Sequence, residues 1–192
     1  MGRVSQISAV TLCLMGVVTG VFLLPNPFSA EAARNVGCGG AVWQTWAPSQ
    51  NSVFRAEASS DGPSCAHAVV TLVIRAPGGA PLWADALPAS QVMTFSQVRR
   101  AGDMAVALRE WLTQSHQFRT SFDLPVWKKG EAAPIAGEFP FHPDEAVDHD
   151  YYEQIQSERL PVFCYVQGME SMACIVLKDG TMMKIGLQSF PG

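Results

Sequence analysis

Leu160–Gln188, LPVFCYVQGMESMACIVLKDGTMMKIGLQ, decides how this chain is read. Three apolar runs are separated by two turn signals. In Leu177-Lys178-Asp179-Gly180-Thr181-Met182 an Asp-Gly pair stands between β-type residues, the strongest short-range hairpin signal. Upstream, Gln167-Gly168-Met169-Glu170-Ser171 links the runs Leu160–Val166 and Met172–Leu177. With Met169 as pivot, Cys164 and Cys174 fall opposite each other on antiparallel strands. Opposed residues have Cβ atoms about 4.5–5.5 Å apart, close to what a disulfide needs. The stretch predicts a three-stranded meander with an internal staple.

The chain has 192 residues, 48% of them hydrophobic and 16% charged, and a net charge of −4. That length buries one core. Arg99-Arg100 and Lys128-Lys129 are isolated pairs, so a mildly acidic chain without a basic stripe offers no surface for nucleic acid or an anionic membrane.

Residues 1–32 read as a signal peptide. Arg3 supplies the positive end, Ile7 to Leu24 is apolar, Pro25-Asn26-Pro27 breaks the run, and Ala30-Glu31-Ala32 gives the cleavage site. The competing reading is a retained anchor. Cleavage leaves residues 33–192 as a single secreted α+β domain, periplasmic or secreted, with no membrane contact. It also removes Cys13 and leaves Cys38, Cys65, Cys164 and Cys174. Four cysteines in an exported chain read as two disulfides with three possible connectivities. The register above favours Cys164–Cys174, which leaves Cys38–Cys65.

Along the remaining chain, residues 33–50 read as a leader tied down by Cys38, with Trp43 and Trp46 packing back on the domain. Asn51–Ala58 alternates as a strand, and Ser59-Ser60-Asp61-Gly62-Pro63 turns. In His67–Ala76, Val70, Leu72 and Ile74 share one strand face; Pro77-Gly78-Gly79 leads into a partner strand at Pro81–Leu87. Thr94-Phe95-Ser96-Gln97 has the capping-box pattern, and Val98, Ala105, Leu108, Trp111 and Leu112 recur at helical steps, predicting a helix within 95–114. Gly102 weakens its middle. Phe118–Val126 reads as a short edge segment and Lys128–Pro140 as a long loop. His142-Pro143-Asp144-Glu145 resembles a helix start, predicting a helix over 143–158 with Val147, Tyr151 and Ile155 buried. The fold class expected is α+β: two hairpin or meander units joined in an antiparallel sheet, two helices on one face, disulfide-stapled.

Three constellations carry chemistry. His142, Glu145, His149 and Glu153 are metal-ligand types, with Glu145, His149 and Glu153 at i, i+4, i+8 if the helix runs through them. The same residues also make an ordinary solvated helix face, and the spacing is not His-Glu-x-x-His. Cys164 and Cys174 suit a thiol oxidoreductase only if accessible and of low pKa; apolar strands favour a staple. Glu170-Ser171 with His67 or His116 lacks any hydrolase motif around the serine. Trp127 beside Lys128 and Lys129, and Glu170-Ser171 in the hairpin link, are candidate binding residues; an exposed tryptophan beside lysines can anchor an envelope protein or a glycan. No cofactor is implied. The leading functional expectation is a non-enzymatic binding or accessory protein of the bacterial envelope, such as an inhibitor or assembly factor. Its alternatives are a metal-dependent hydrolase using the 142–153 cluster and a thiol-disulfide oxidoreductase using Cys164 and Cys174.

Overall fold

The computed structural model describes residues 37–49, 52–113, 119–134 and 139–190. The signal-peptide reading of residues 1–32, His116 and part of the expected 128–140 loop lie outside the described residues. Among the described residues no helix is long and apolar enough to cross a membrane.

The first four strands, β1 (Gly40–Ser49), β2 (Ser52–Asp61), β3 (Val69–Arg75) and β4 (Pro81–Pro88), form one antiparallel sheet in sequence order. Alternation sets its faces. Phe54, Ala56 and Ala58 of β2 and Val70, Leu72 and Ile74 of β3 point into the core. The leader expected at 33–50 is in fact a full edge strand from Gly40, where Trp46 is buried but Trp43 is 61% exposed.

A second antiparallel sheet has the order β5–β8–β7–β6, from β5 (Phe141–Pro143), β6 (Val162–Val166), β7 (Ser171–Lys178) and β8 (Thr181–Ser189). The meander is as the sequence predicts: Cys164 is opposite Cys174, and Lys178 is opposite Thr181. Asp179 and Gly180 both adopt positive φ, 50° and 77°, as the tight turn requires. Every residue of β6 is buried, because the sheet is covered on both faces. Phe163, Tyr165, Ala173 and Ile175 join the core of the first sheet, while Val162, Cys164, Cys174 and Val176 join a second core.

Helix α1 (Ala101–Thr113) backs β1 and β2, burying Met104, Leu108, Trp111 and Leu112. It starts later than the Thr94 pattern suggests, since Met93–Phe95 forms a separate 3-10 turn. Helix α2 (His149–Glu158) seals the second core with Tyr152 and Ile155. The α+β class and the staples are thus as expected, with refined layering: the hairpin units make two sheets, and each helix serves its own core.

Helix α2 departs from the expected 143–158. His142 and Pro143 belong to β5, opposite Leu187 and Gly186, and Asp148 is the N-cap, accepting the Tyr151 N–H at 2.8 Å. With the later start Val147 lies off the helix, and the face turned to the core carries Ile155 and Tyr152, with Tyr151 only partly buried beside them. Gly186 makes β5 possible: a Cβ there would lie 2.5 Å from the His142 carbonyl oxygen and 2.6 Å from the Phe141 ring.

Both disulfides form as expected. Cys38–Cys65 closes 27 residues and ties the start of β1 to the turn before β3; Cys164–Cys174 spans 10 residues across β6 and β7. Such bridges belong to an oxidising, exported environment.

Candidate functional site: a strap and groove on the second helix

Residues 119–131 are neither helix nor strand for most of their length, yet they are held closely. Thr120 and Asp123 cap each other around the 3-10 turn Ser121–Asp123. The buried Ser121 hydroxyl donates to the Ile155 carbonyl at 2.5 Å and accepts the Leu160 N–H at 2.8 Å, joining the turn to the end of α2. Three side chains of α2 then hold the next residues. Gln156 donates to the Leu124 carbonyl at 2.7 Å, Tyr152 to the Pro125 carbonyl at 2.8 Å, and His149 Nε2 lies 3.0 Å from the Trp127 carbonyl. Positions 149, 152 and 156 form one stripe at helical spacing, so an extended strap lies along the helix.

Electrostatics follow from these contacts. Burial pushes the Tyr152 hydroxyl well above the usual tyrosine range, keeping it a neutral donor. Asp123 is held below the usual carboxylate range, first by the Thr120 N–H, against the opposing effect of burial, and further by the Thr120 hydroxyl, the Arg119 N–H and the Arg119 charge.

Trp127, expected to be exposed, is half-buried: its ring meets His149 and Tyr152 edge-on at centroid distances of 5.3 and 5.7 Å, and its N–H donates to the Glu131 carbonyl. Lys128 and Lys129 are exposed. The exposed apolar residues of the strap are instead Phe122 (53%) and Val126 (63%), which sequence reading passed over because isolated apolar residues in a loop carry no periodic signal. With Asp150, Glu153, Gln154, Gln156 and Ser157 they line an open groove of about 810 Å³. Arg159 lies over one face of Phe122 at 4.0 Å from the ring centre. The charged residues lining the groove are both acids.

The fold brings together only part of the proposed metal set. His149, Asp150 and Glu153 have ligand atoms within 4.8 Å of one another, whereas exposed His142 lies on β5 and Glu145 precedes the helix. The Trp127 carbonyl can only accept, so His149 Nε2 carries the hydrogen of that contact. Asp150 approaches Nδ1 at 3.4 Å but Glu153 approaches Nε2 at 3.8 Å, on different sides of the ring. Cys164 and Cys174 have zero exposure inside the second core, so the bond offers no access for thiol exchange. Glu170 lies on the β6–β7 link and Ser171 opens β7, both outside the groove lining; the Glu170 carbonyl accepts the Phe190 N–H.

Comparison with protein-family models, curated proteins and solved structures finds no match.

Proposed function

We propose that this chain is an exported, non-enzymatic binding or accessory protein of the bacterial cell envelope, and that it grips an extended segment of a partner protein in the groove beside α2. The observation that carries this reading is the pair Phe122 and Val126, kept exposed on a strap that is itself hydrogen-bonded to the helix. Large apolar side chains left in water are unfavourable unless something covers them, and a strap fixed in advance reduces the ordering cost of binding. Asp150 and Glu153 give the groove a negative wall, which fits a segment bearing an apolar side chain next to lysine or arginine. The two enzymatic alternatives receive less support, because the histidine and acids are split around one ring and the candidate redox bond is enclosed.

The test is a titration of the oxidised protein with synthetic peptides that combine leucine or phenylalanine with lysine, followed by nuclear magnetic resonance of the 119–131 and 149–158 amides. Binding should perturb those amides, disappear in Val126→Asp, and weaken in Asp150→Asn/Glu153→Gln. Equal binding of glutamate-substituted peptides, or binding untouched by Val126→Asp, would remove the groove from the function.

A further inference from the structure

The two sheets present four edges, and three of them are guarded. β4 begins and ends with Pro81 and Pro88 and carries Asp85; β5 has three residues and ends in Pro143. Beside β6, Thr120 bridges Pro161, the Val162 N–H donates to the Arg119 carbonyl, and the Trp111 N–H takes the Val166 carbonyl. Prolines, shortness and covering segments are the usual means by which a sheet edge is kept from pairing with another chain.

β1 has none of these over most of its length. Its ten residues, GAVWQTWAPS, contain no charge, and its proline and register irregularity come only after Trp46. Among the described residues, the backbone of Gly40–Trp46 is bonded to β2 and to no other segment. On the outward face Ala41, Trp43 and Thr45 are all exposed, and Trp43 sits mid-strand with the Arg55 guanidinium 4.7 Å from its ring centre.

We infer that β1 pairs antiparallel with β1 of a second copy of this chain, joining two four-stranded sheets into one of eight strands about a two-fold axis. Charge points to a second copy. Two identical strands that meet antiparallel create like-charge pairs wherever they carry charge, and β1 carries none. The outward pattern small–large–small also suits self-pairing. A register centred on residue 43 sets Trp43 beside the partner's Trp43 and places Ala41 opposite the partner's Thr45, so that each large ring is flanked by short side chains. A foreign strand would gain nothing from either feature.

Sedimentation equilibrium of the disulfide-intact protein tests this. The wild type should show twice the chain mass, and Ala41→Lys/Thr45→Lys, which places ammonium groups opposite one another across the axis, should show the single-chain mass. Ala86→Lys, an exposed change on the guarded β4 edge, should leave the doubled mass unchanged. Circular dichroism and a thiol count show that the variants are folded. Amide exchange in Gly40–Trp46 should slow with rising protein concentration in the wild type and in Ala86→Lys, and not in Ala41→Lys/Thr45→Lys. Single-chain mass for the wild type at every concentration, or a doubled mass that survives Ala41→Lys/Thr45→Lys, overturns the inference; strand addition by some other protein would give the first of these results.

Discussion

Removing the Cys38–Cys65 bridge tests most directly whether this fold is held by its cross-links or by its packing. In Cys38→Ala/Cys65→Ala the native neighbourhood keeps its other ties: the Cys38 N–H donates to the Gly62 carbonyl at 2.9 Å, and the Ser60 hydroxyl donates to the Cys38 carbonyl at 3.1 Å. The loss therefore falls mainly on the unfolded chain, which regains the freedom of a 27-residue loop. Chain-entropy reasoning puts that at about 3.5 kcal/mol, against about 2.7 kcal/mol for the 10-residue loop of Cys164–Cys174. In a domain of this size 1 kcal/mol moves Tm by about 2–4 °C, so the first variant should melt about 7–14 °C lower. Urea unfolding should show a lowered midpoint and a slightly larger slope, because the unlinked chain exposes more surface. Partial reduction separates the two bridges. Cys65 is 7% exposed whereas Cys164 and Cys174 have no exposure, so mild dithiol under native conditions should open Cys38–Cys65 first and leave Cys164–Cys174 closed until the second core unfolds. A destabilisation below about 1 kcal/mol would refute the loop-entropy reasoning. Reduction of Cys164–Cys174 in the still-folded protein would refute the enclosed staple and bring the oxidoreductase reading forward.

Other perturbations probe the strap and the sheets. Gly186→Ala forces a Cβ against the His142 carbonyl and the Phe141 ring, so it should cost about 1–3 kcal/mol and increase amide exchange in β5. Ser121→Ala leaves the Ile155 carbonyl and the Leu160 N–H unpaired in a buried place and should cost roughly 1–3 kcal/mol by urea unfolding. Tyr165 donates to Asp85 at 2.7 Å and accepts from Trp83 at 3.3 Å, and its hydroxyl is pushed far up by burial and then by Asp85; Tyr165→Phe should cost about 1 kcal/mol with no new titration below pH 10. Asp123 has its folded pKa below its unfolded value, so it stabilises the fold above about pH 4 and loses that contribution as pH falls through the lower folded value. The urea midpoint of Asp123→Asn should accordingly fall less than the wild type's over that acid range.

Several elements were legible because their signals are local. The Asp179–Gly180 turn depends on two residues that tolerate positive φ, and the Cys164–Cys174 register depends only on the length of one link. The face of β3 follows from strict alternation. The site was less legible. Reading 143–158 as one helix put Glu145 and His149 on a common face, but β5 pairing claims Pro143 first, and the helix begins only after the Asp148 cap. That shift dissolves the i, i+4, i+8 set and leaves His149 and Glu153. Trp127 looked exposed because its neighbours are lysines and a loop follows; its burial comes from His149 and Tyr152, more than twenty residues later.

By itself the sequence determined the β3–β4 hairpin, the β6–β7–β8 meander, the Cys164–Cys174 register and the α+β class, since each is encoded by periodicity, turn chemistry or loop length within a short stretch; Cys38–Cys65 followed only by elimination. Tertiary structure alone decided that the strands form two sheets, that residues 119–131 become a strap, that Phe122 and Val126 stand open to water, and that no other described segment guards the β1 edge. A local pattern states which face of an element is apolar, but not which other element covers it. That choice is made by contacts between residues far apart in the chain, where burying the most apolar surface with every backbone group paired selects one arrangement.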